Sequence, residues 1–457
     1  MAPAANLSID ELRDRFDGRV LAPGDAEYDS ARTVVYGDID RHPAAIIRVA
    51  DADEVARVVD LARETGVELA VRNGGHSIAG HGVSEGGIVL DLRDMKSIEI
   101  DADKGTALAE TGLTAGEFSA AAGEHGLVTG FGDTGSVGIG GITLGGGVGF
   151  LVRKHGLTID SLLAAEIVTA DGKLVYVDAD NHPDLFWAIR GGGGNLGVAT
   201  RFKFRLHQLA SIVGGMLFLP ASAEIVVRFM DGLVAAPEEL SGIANVMVAP
   251  PLPFVPAELE GQLILMAFLV YAGDNEAGER AIAPFRGLAE PIMDMIRPMP
   301  YHEMFQPEDE SYHPTAVSHT MFVDSIDHGD AETIIRYLET SDASLRVAQL
   351  RALGGAMARV PNDATAFAHR QSRVMVNVAA FYDGAEDKPR RQEWVDEFAG
   401  ALRQSDGGAY VGFLGDEGPE RVHAAYPGQT YERLASIKAK YDPTNLFRLN
   451  QNISPSP

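Results

Sequence analysis

Val71-Arg72-Asn73-Gly74-Gly75-His76-Ser77, closing at His81, is the stretch on which the reading of this chain turns. An apolar segment from Glu68 to Val71 runs into a turn that sets two glycines directly before a histidine. Glycines there permit positive φ and carry no Cβ, so main-chain N–H groups can approach a phosphate closely. A histidine on such a loop sits at the edge of whatever the phosphates belong to. A Gly-Gly-His turn alone is usually just a turn, so its meaning depends on the rest of the chain.

Upstream, Pro43–Val49 reads as a strand, and Ala52–Glu64 carries an apolar helical stripe at Val55, Val58, Val59 and Ala62. Downstream, Ile88–Leu92 is a further strand, so the loop sits in a βαβ-like unit. Strands at Ser97–Ile100 and Thr106–Glu110 precede a helix opened by the capping box Thr114-Ala115-Gly116-Glu117. In Gly130–Gly149, ten of twenty residues are glycine. A hairpin follows, Leu163–Ala170 and Leu174–Asp178 around Asp171-Gly172. Then come a helix at Pro183–Ile189, the glycine run Gly191–Gly194 and a strand at Val198–Leu206.

From Ile212 glycine thins. Strands at Ile212–Leu219, Gln262–Tyr271 and Arg373–Tyr382 alternate with helices at Ala223–Val234, Ala277–Leu288 and Lys388–Arg403, an α+β pattern with helices on one face of a sheet. Proline-rich loops fall at Pro250–Pro256 and Pro298–Pro314. A helix at Thr430–Lys440 leads into an extended tail.

With 457 residues the chain has ample core for two or three domains. Its net charge of −27 argues against nucleic acid or an anionic membrane surface as partner. Cysteine is absent, which removes disulfides, thiolate metal sites and thiol nucleophiles. The N-terminus pairs Ser8-Ile9-Asp10-Glu11, read as a capping box, with an acidic helix; it has no signal-peptide pattern, and no apolar window reaches membrane length. A cytoplasmic protein is expected.

The glycine motifs exclude more than they assign. Gly130–Gly135 and Gly192–Gly197 both spell G-x-G-x-x-G, yet neither follows a strand and opens a helix, so neither is a dinucleotide fingerprint. No P-loop is present. His76 with His81, and His302-Glu303, lack metal-site spacing, and no metal is expected. Gly135-Ser136-Val137-Gly138 is not a nucleophile elbow. What remains is three glycine-rich segments with no nucleotide-fold signature and no metal; chain wrapped closely around a long cofactor would look like this.

Arg72-Asn73-Gly74-Gly75-His76-Ser77 resembles the covalent-flavin loop of the vanillyl-alcohol-oxidase superfamily, in its berberine-bridge-enzyme-like branch. Val137 to Gly141 with Leu144 to Gly149, continued by Arg153–Asp160, resembles the second flavin segment. Phe186–Val198 resembles the third. Tyr441-Asp442-Pro443-Thr444-Asn445-Leu446-Phe447, ending Asn450-Gln451-Asn452-Ile453, resembles the C-terminal flavin contact.

The resemblance implies an α+β fold: a two-part PCMH-type FAD-binding domain, and an α+β substrate domain whose antiparallel sheet is covered by helices. The expected boundaries are 1–34 for a lead-in helix, 35–208 for the FAD domain, 209–408 for the substrate domain and 409–457 for a returning C-terminal segment. Cofactor contacts are expected from Arg72, Asn73, Gly74, Gly75, His76, Ser77 and His81; from Gly132, Thr134, Val137, Gly138, Gly140, Gly141, Leu144, Gly147 and Gly149; and from Asn195, Gly197, Val198, Asn450 and Asn452. His76 is implied to bond the flavin 8α-carbon, a reaction within reach of a neutral imidazole.

Three positions shape the functional reading. Many relatives attach FAD also through a cysteine three residues before the Val-Gly pair; here that residue is Thr134, so FAD is expected to be held covalently by His76 only, as in single-histidine amine oxidases of the family. Val137 occupies the oxygen-gate position, where valine accompanies oxidases. Sugar and alcohol oxidases carry Tyr-x-Asn-Tyr, its last tyrosine the base; here the segment is Tyr410-Val411-Gly412-Phe413. Alcohol oxidation needs a base, whereas a neutral amine can give up hydride without one.

The expected activity is therefore an FAD-linked oxidase acting on a small amine or alcohol, with O2 as acceptor and H2O2 as product. A dehydrogenase or oxidative cyclase with another acceptor is the alternative, and a non-catalytic flavin or metabolite binder a third reading. Tyr410, His369, Asn450 and Tyr382 are the catalytic candidates, with Tyr312 and Asn377 also considered. The protein is expected to be a monomer or homodimer.

Overall fold

The computed structural model describes residues 8–16, 19–249, 259, 261–305, 309, 311–404 and 407–456. The Pro250–Pro256 loop and the first seven residues lie outside them.

Among the described residues the chain folds as α+β around three main sheets and a two-stranded pairing of Leu127–Val128 with His207–Gln208. The first is small and holds the Gly-Gly-His unit. Ala45–Arg48, Ile88–Asp91 and Leu69–Arg72 run parallel in that order, and Val20–Leu21 adds an antiparallel edge. The helix Ala52–Thr65 is capped by Asp51, whose side chain accepts the N–H of Glu54, and ends at Gly66 in the left-handed region. It lays Val55, Val58, Val59 and Ala62 on that sheet, as their spacing predicts. The two strands it connects are not neighbours, because Ile88–Asp91 inserts between them.

The second sheet has five antiparallel strands, ordered Ile98–Asp101, Thr106–Glu110, Val198–Arg205, Leu162–Val168 and Leu174–Asp178. The helix Ala115–Gly123, with its Thr114–Glu117 capping box formed, packs beside it. Phe118, Phe131 and Phe204 meet edge to face with centroids 4.9, 5.4 and 5.6 Å apart. That cluster buries the root of the glycine-rich segment.

The third sheet is wholly antiparallel. Met293–Asp294 and Arg297–Met299 share one edge of Ile212–Pro220; Leu263–Tyr271, Leu240–Val248, Arg346–Ala352, Val374–Phe381 and Ala316–Val323 follow. Side chains alternate across it. Val246, Leu265, Val317, Leu350, Val376 and their neighbours pack under the helices Ala223–Ala235, Asn275–Arg286, His328–Thr340 and Lys388–Leu402. The opposite face turns Ser318, Gln349, Arg351 and Asn377 towards a cavity.

Buried polar contacts lock this sheet to the rest. Arg370, fully buried, binds Asp160 through two bonds of 2.7 and 2.8 Å. Arg153 donates to the carbonyls of Leu233 and Ala236 at the end of the helix Ala223–Ala235. Trp187 donates to the carbonyl of Asp363 at 2.8 Å.

Candidate active site

A cavity of 510 Å³ runs between the small sheet, the glycine-rich segment, the C-terminal tail and the polar face of the large sheet. Its size is that of a ligand or cofactor site.

The Gly-Gly-His loop forms one wall. Gly75 has φ +74°, the conformation that delivers His76 to the cavity. Asn73 stitches the loop to the glycine-rich segment: its Nδ2 donates to the carbonyl of Thr111, and its Oδ1 accepts the N–H of Gly140 at 3.0 Å. The His76 Nε2 lies 2.7 Å from the Ser136 hydroxyl. Arg41 pins the far side of the loop by donating to the carbonyls of Ala79, Gly80 and Val83. His81 also lines the cavity, and burial, helped by Arg41, pushes its pKa down to about 4.

Gly74, Gly132, Thr134, Val137, Gly138, Gly140, Gly141 and Leu144 line the same space with Ser77, Asn195, Gly197 and Val198. Two kinds of glycine are found here. At Gly138 a Cβ would meet Asn73 Oδ1 at 1.7 Å, so the protein itself excludes a side chain. At Gly141 and Gly194 a Cβ would meet nothing within 4 Å, and neither has positive φ. Neither protein contacts nor backbone conformation call for glycine at those two positions, and the space beside them is open to the cavity.

The C-terminal tail closes the wall. Lys438 and Asp442 are fully buried and 3.4 Å apart. Burial pushes Lys438 down to about 8 and Asp442 above its usual value. The Lys438 ammonium donates to the carbonyl of Phe447 at 2.8 Å and to the side chains of Asn452 and Asn195. It therefore ties the third glycine segment to the tail. Asn450 donates to the carbonyls of Gly194 and Phe447, while its buried Oδ1 lacks a partner among the described residues. Orphaned amide oxygens are costly, and one beside a cavity suits a ligand N–H.

Apart from the two histidines, Asp133 and Arg351 are the charged side chains lining the cavity. An anionic pyrophosphate would therefore meet backbone N–H groups there and no lysine or arginine cluster. Asp133 and Arg351 pair at 2.5 Å, and the Arg351 guanidinium sits 5.1 Å from the ring centroid of Phe413. Together these features fit FAD: glycines that leave room, a histidine at the wall, and open polar atoms on the tail.

The structure places several of the expected site residues away from the cavity lining. Arg72 is buried away from the cavity, donating to the carbonyls of Ala31 and Thr33, and so braces the loop from behind. Gly147 and Gly149 do not line the cavity: a Cβ on Gly147 would lie 1.9 Å from Thr158 Oγ1, and one on Gly149 2.4 Å from the carbonyl of Gly132. Asn452 faces Lys438. Among the catalytic candidates, His369 stacks on Phe322 and bonds the carbonyl of Ala425 off the cavity. Tyr382 donates to Asp38 at 2.6 Å, and Tyr312 is 60% exposed, neither reaching the site. Tyr410, Asn450 and Asn377 do line it. Tyr36, Asp133, Ser318, Gln349 and Arg351 are lining residues that sequence reading missed. Gln349 and Arg351 stand two apart on one strand, a polar period-two signal that could have found them.

Among the described residues no group of three His, Asp or Glu side chains could hold a metal ion, and no helix is long and apolar enough to cross a membrane.

The family described as "FAD binding domain" matches residues 43–178, and that described as "Berberine and berberine like" matches residues 409–454. The chain is 30% identical over 451 residues to (R)-6-hydroxynicotine oxidase of Paenarthrobacter nicotinovorans, covering 96% of this chain and 97% of that one. It is 27% identical to xylooligosaccharide oxidase of Thermothelomyces thermophilus over 99% of this chain and 95% of that one. The structure of 6-hydroxy-D-nicotine oxidase from Arthrobacter nicotinovorans superposes with a TM-score of 0.86 at 29% identity, over 96% of this chain and 98% of that one.

Proposed function

The chain belongs to the berberine-bridge-enzyme-like family of FAD-linked oxidoreductases, and from that premise we propose that it is an oxidase whose FAD is carried on His76 alone. Its substrate in this reading is a small organic amine, oxidised at the expense of O2 with release of H2O2. The observation that carries the reading is the convergence of His76, the open glycines Gly141 and Gly194, and the tail residue Asn450 on one cavity.

FAD, when bound, would supply the redox chemistry, a two-electron acceptor for the substrate's hydride that O2 can reoxidise. The residues supply position. Segments 35–208 and 409–457 enclose the cofactor side, and 209–408 contributes the facing sheet. The 74–77 and 138–141 backbones would hold the pyrophosphate, and Asn73 links the two segments through Gly140. Val137 lines the cavity, at the position that the family resemblance makes the oxygen gate.

An amine is preferred over an alcohol because the site offers no free base where alcohol oxidases of the family carry one. By the family resemblance Phe413 takes that position, and it lines the cavity. The Tyr410 hydroxyl accepts the N–H of Gly147 at 3.1 Å, and burial pushes its pKa up, so it stays protonated. A neutral amine gives up hydride without losing an O–H proton.

Oxygen uptake and H2O2 release, measured with panels of primary to tertiary amines and of alcohols, test the proposal. Turnover of an amine with one H2O2 per O2 supports it. Flavin bleaching that dyes but not O2 reverse identifies a dehydrogenase, and failure of every compound to bleach the flavin identifies a binding protein.

A further inference from the structure

The polar patch on the large sheet is built as one network. Asn245 donates to the carbonyl of Met266 at 3.2 Å. Its Oδ1 accepts Gln349 Nε2 at 2.9 Å, and Gln349 Oε1 accepts Arg351 Nε and Nη2 at 3.0 and 2.7 Å. Asp133, reaching across from the glycine-rich segment, holds Nη2 at 2.5 Å. The guanidinium, 4% exposed, is thus clamped on one side, and Nη1 is left without a partner among the described residues.

Asn377 lies directly across from Gln349 on the neighbouring strand, diagonal to Arg351. Diagonal neighbours of this kind lie about 7–8 Å apart at Cα, within reach of one small molecule. The Asn377 Oδ1 is also buried without a partner among the described residues. Both side chains line the cavity. One buried donor and one buried acceptor therefore wait side by side, each costly if left unmade.

Resting on the oxidase reading above, we propose that Arg351 and Asn377 select a substrate bearing an amide edge, a carboxamide or lactam whose carbonyl takes Arg351 Nη1 and whose N–H is given to Asn377 Oδ1. The Arg351–Asp133 pair is neutral overall, and Asp133 repels a second anion. The matching acceptor is therefore an uncharged carbonyl in preference to a carboxylate. Phe413, under the guanidinium, presents an apolar face to the rest of the substrate.

Calorimetry on the holoprotein with four probes, benzamide, N,N-dimethylbenzamide, benzoate and benzyl alcohol, tests this, with flavin content measured in the same samples. Benzamide should bind tightest, and dimethylbenzamide, lacking the N–H, about tenfold more weakly. Arg351→Met should weaken benzamide roughly tenfold to a hundredfold, and Arg351→Lys, which keeps the charge opposite Asp133 but loses the fork, should weaken it too. Asn377→Leu should erase only the gap between benzamide and its dimethyl form. Equal affinities, no binding by any probe, tightest binding by benzoate, or benzamide unchanged in both Arg351 variants would overturn the assignment. Should Arg351→Met fail to fold, the Lys and Leu variants and the wild-type ranking still decide. A colourless protein refutes the flavin reading separately, since calorimetry reads the probe ranking in either case.

Discussion

The Tyr410 hydroxyl accepts the backbone N–H of Gly147 at 3.1 Å, which joins the segment that stands in for the family's base motif to the end of the glycine-rich stretch. Burial raises its pKa and outweighs the Gly147 N–H, which by itself favours phenolate, so in the proposed reading the phenol serves as an anchor. Tyr410→Phe should accordingly lower kcat by less than about tenfold, because losing a true general base costs about 10²- to 10⁴-fold. Steady-state rates on an active amine check this; a thousandfold loss would restore Tyr410 as base.

Gly141 and Gly138 separate what the fold needs from what the cofactor needs. Gly141 sits inside the short helix Ile139–Gly145 with no atom near its absent Cβ. Gly141→Ala should stabilise the flavin-free protein by roughly 0.5–1 kcal/mol, yet reduce flavin loading. Gly138→Ala drives a methyl into Asn73 and should destabilise the protein by about 1–3 kcal/mol. Thermal melts and flavin-to-protein ratios of both variants read these opposite signs.

By the family resemblance Phe413 takes the position of the alcohol oxidases' tyrosine, and the Arg351 guanidinium lies 5.1 Å from its ring centroid. Phe413→Tyr adds a hydroxyl beside a cation, an environment that favours phenolate. The variant should gain activity on alcohols relative to amines, measured as the ratio of kcat/KM values. An unchanged ratio would mean that the choice of substrate is made elsewhere.

Acid should weaken the fold through buried histidines. The His155 ring stacks on His207 with centroids 4.0 Å apart, and burial, then the neighbouring His207 and Lys154, push its pKa down to about 3. His81 is pushed down to about 4. Both are neutral when folded, but near pH 6.5 they begin to take up protons when unfolded. The unfolded chain then binds more protons, so stability falls as pH drops below about 6.5, and these groups contribute nothing to the pH dependence above it. Melting temperature between pH 7 and pH 5, where most carboxylates stay ionised, should decline in the wild type and decline less in His155→Gln.

The parts of the molecule legible in sequence are those where backbone conformation dictates residue type. The Gly-Gly-His turn, the ten-glycine segment and the Asp442–Ile453 tail all carry residues that few other environments would require. Three strands, Leu240–Val248, Arg346–Ala352 and Ala316–Val323, and the helix His328–Thr340 were not foreseen. Their polar residues explain the omission: Asn245, Gln349, Arg351 and Ser318 interrupt the apolar pattern by facing the cavity and its polar network. The site floor hid the strands that build it. Arg72, His369 and Tyr382 lie off the cavity for the converse reason, since nothing local to them reveals that Ala31, Phe322 and Asp38 fold onto them.

The central claim is that His76 carries the flavin, and one measurement addresses it directly. Purified wild-type protein and His76→Ala are denatured in acid, separated on a gel and viewed under ultraviolet light. The account predicts a fluorescent full-length band in the wild type and none in the variant. A wild-type band without fluorescence, or fluorescence that persists in His76→Ala, would contradict it.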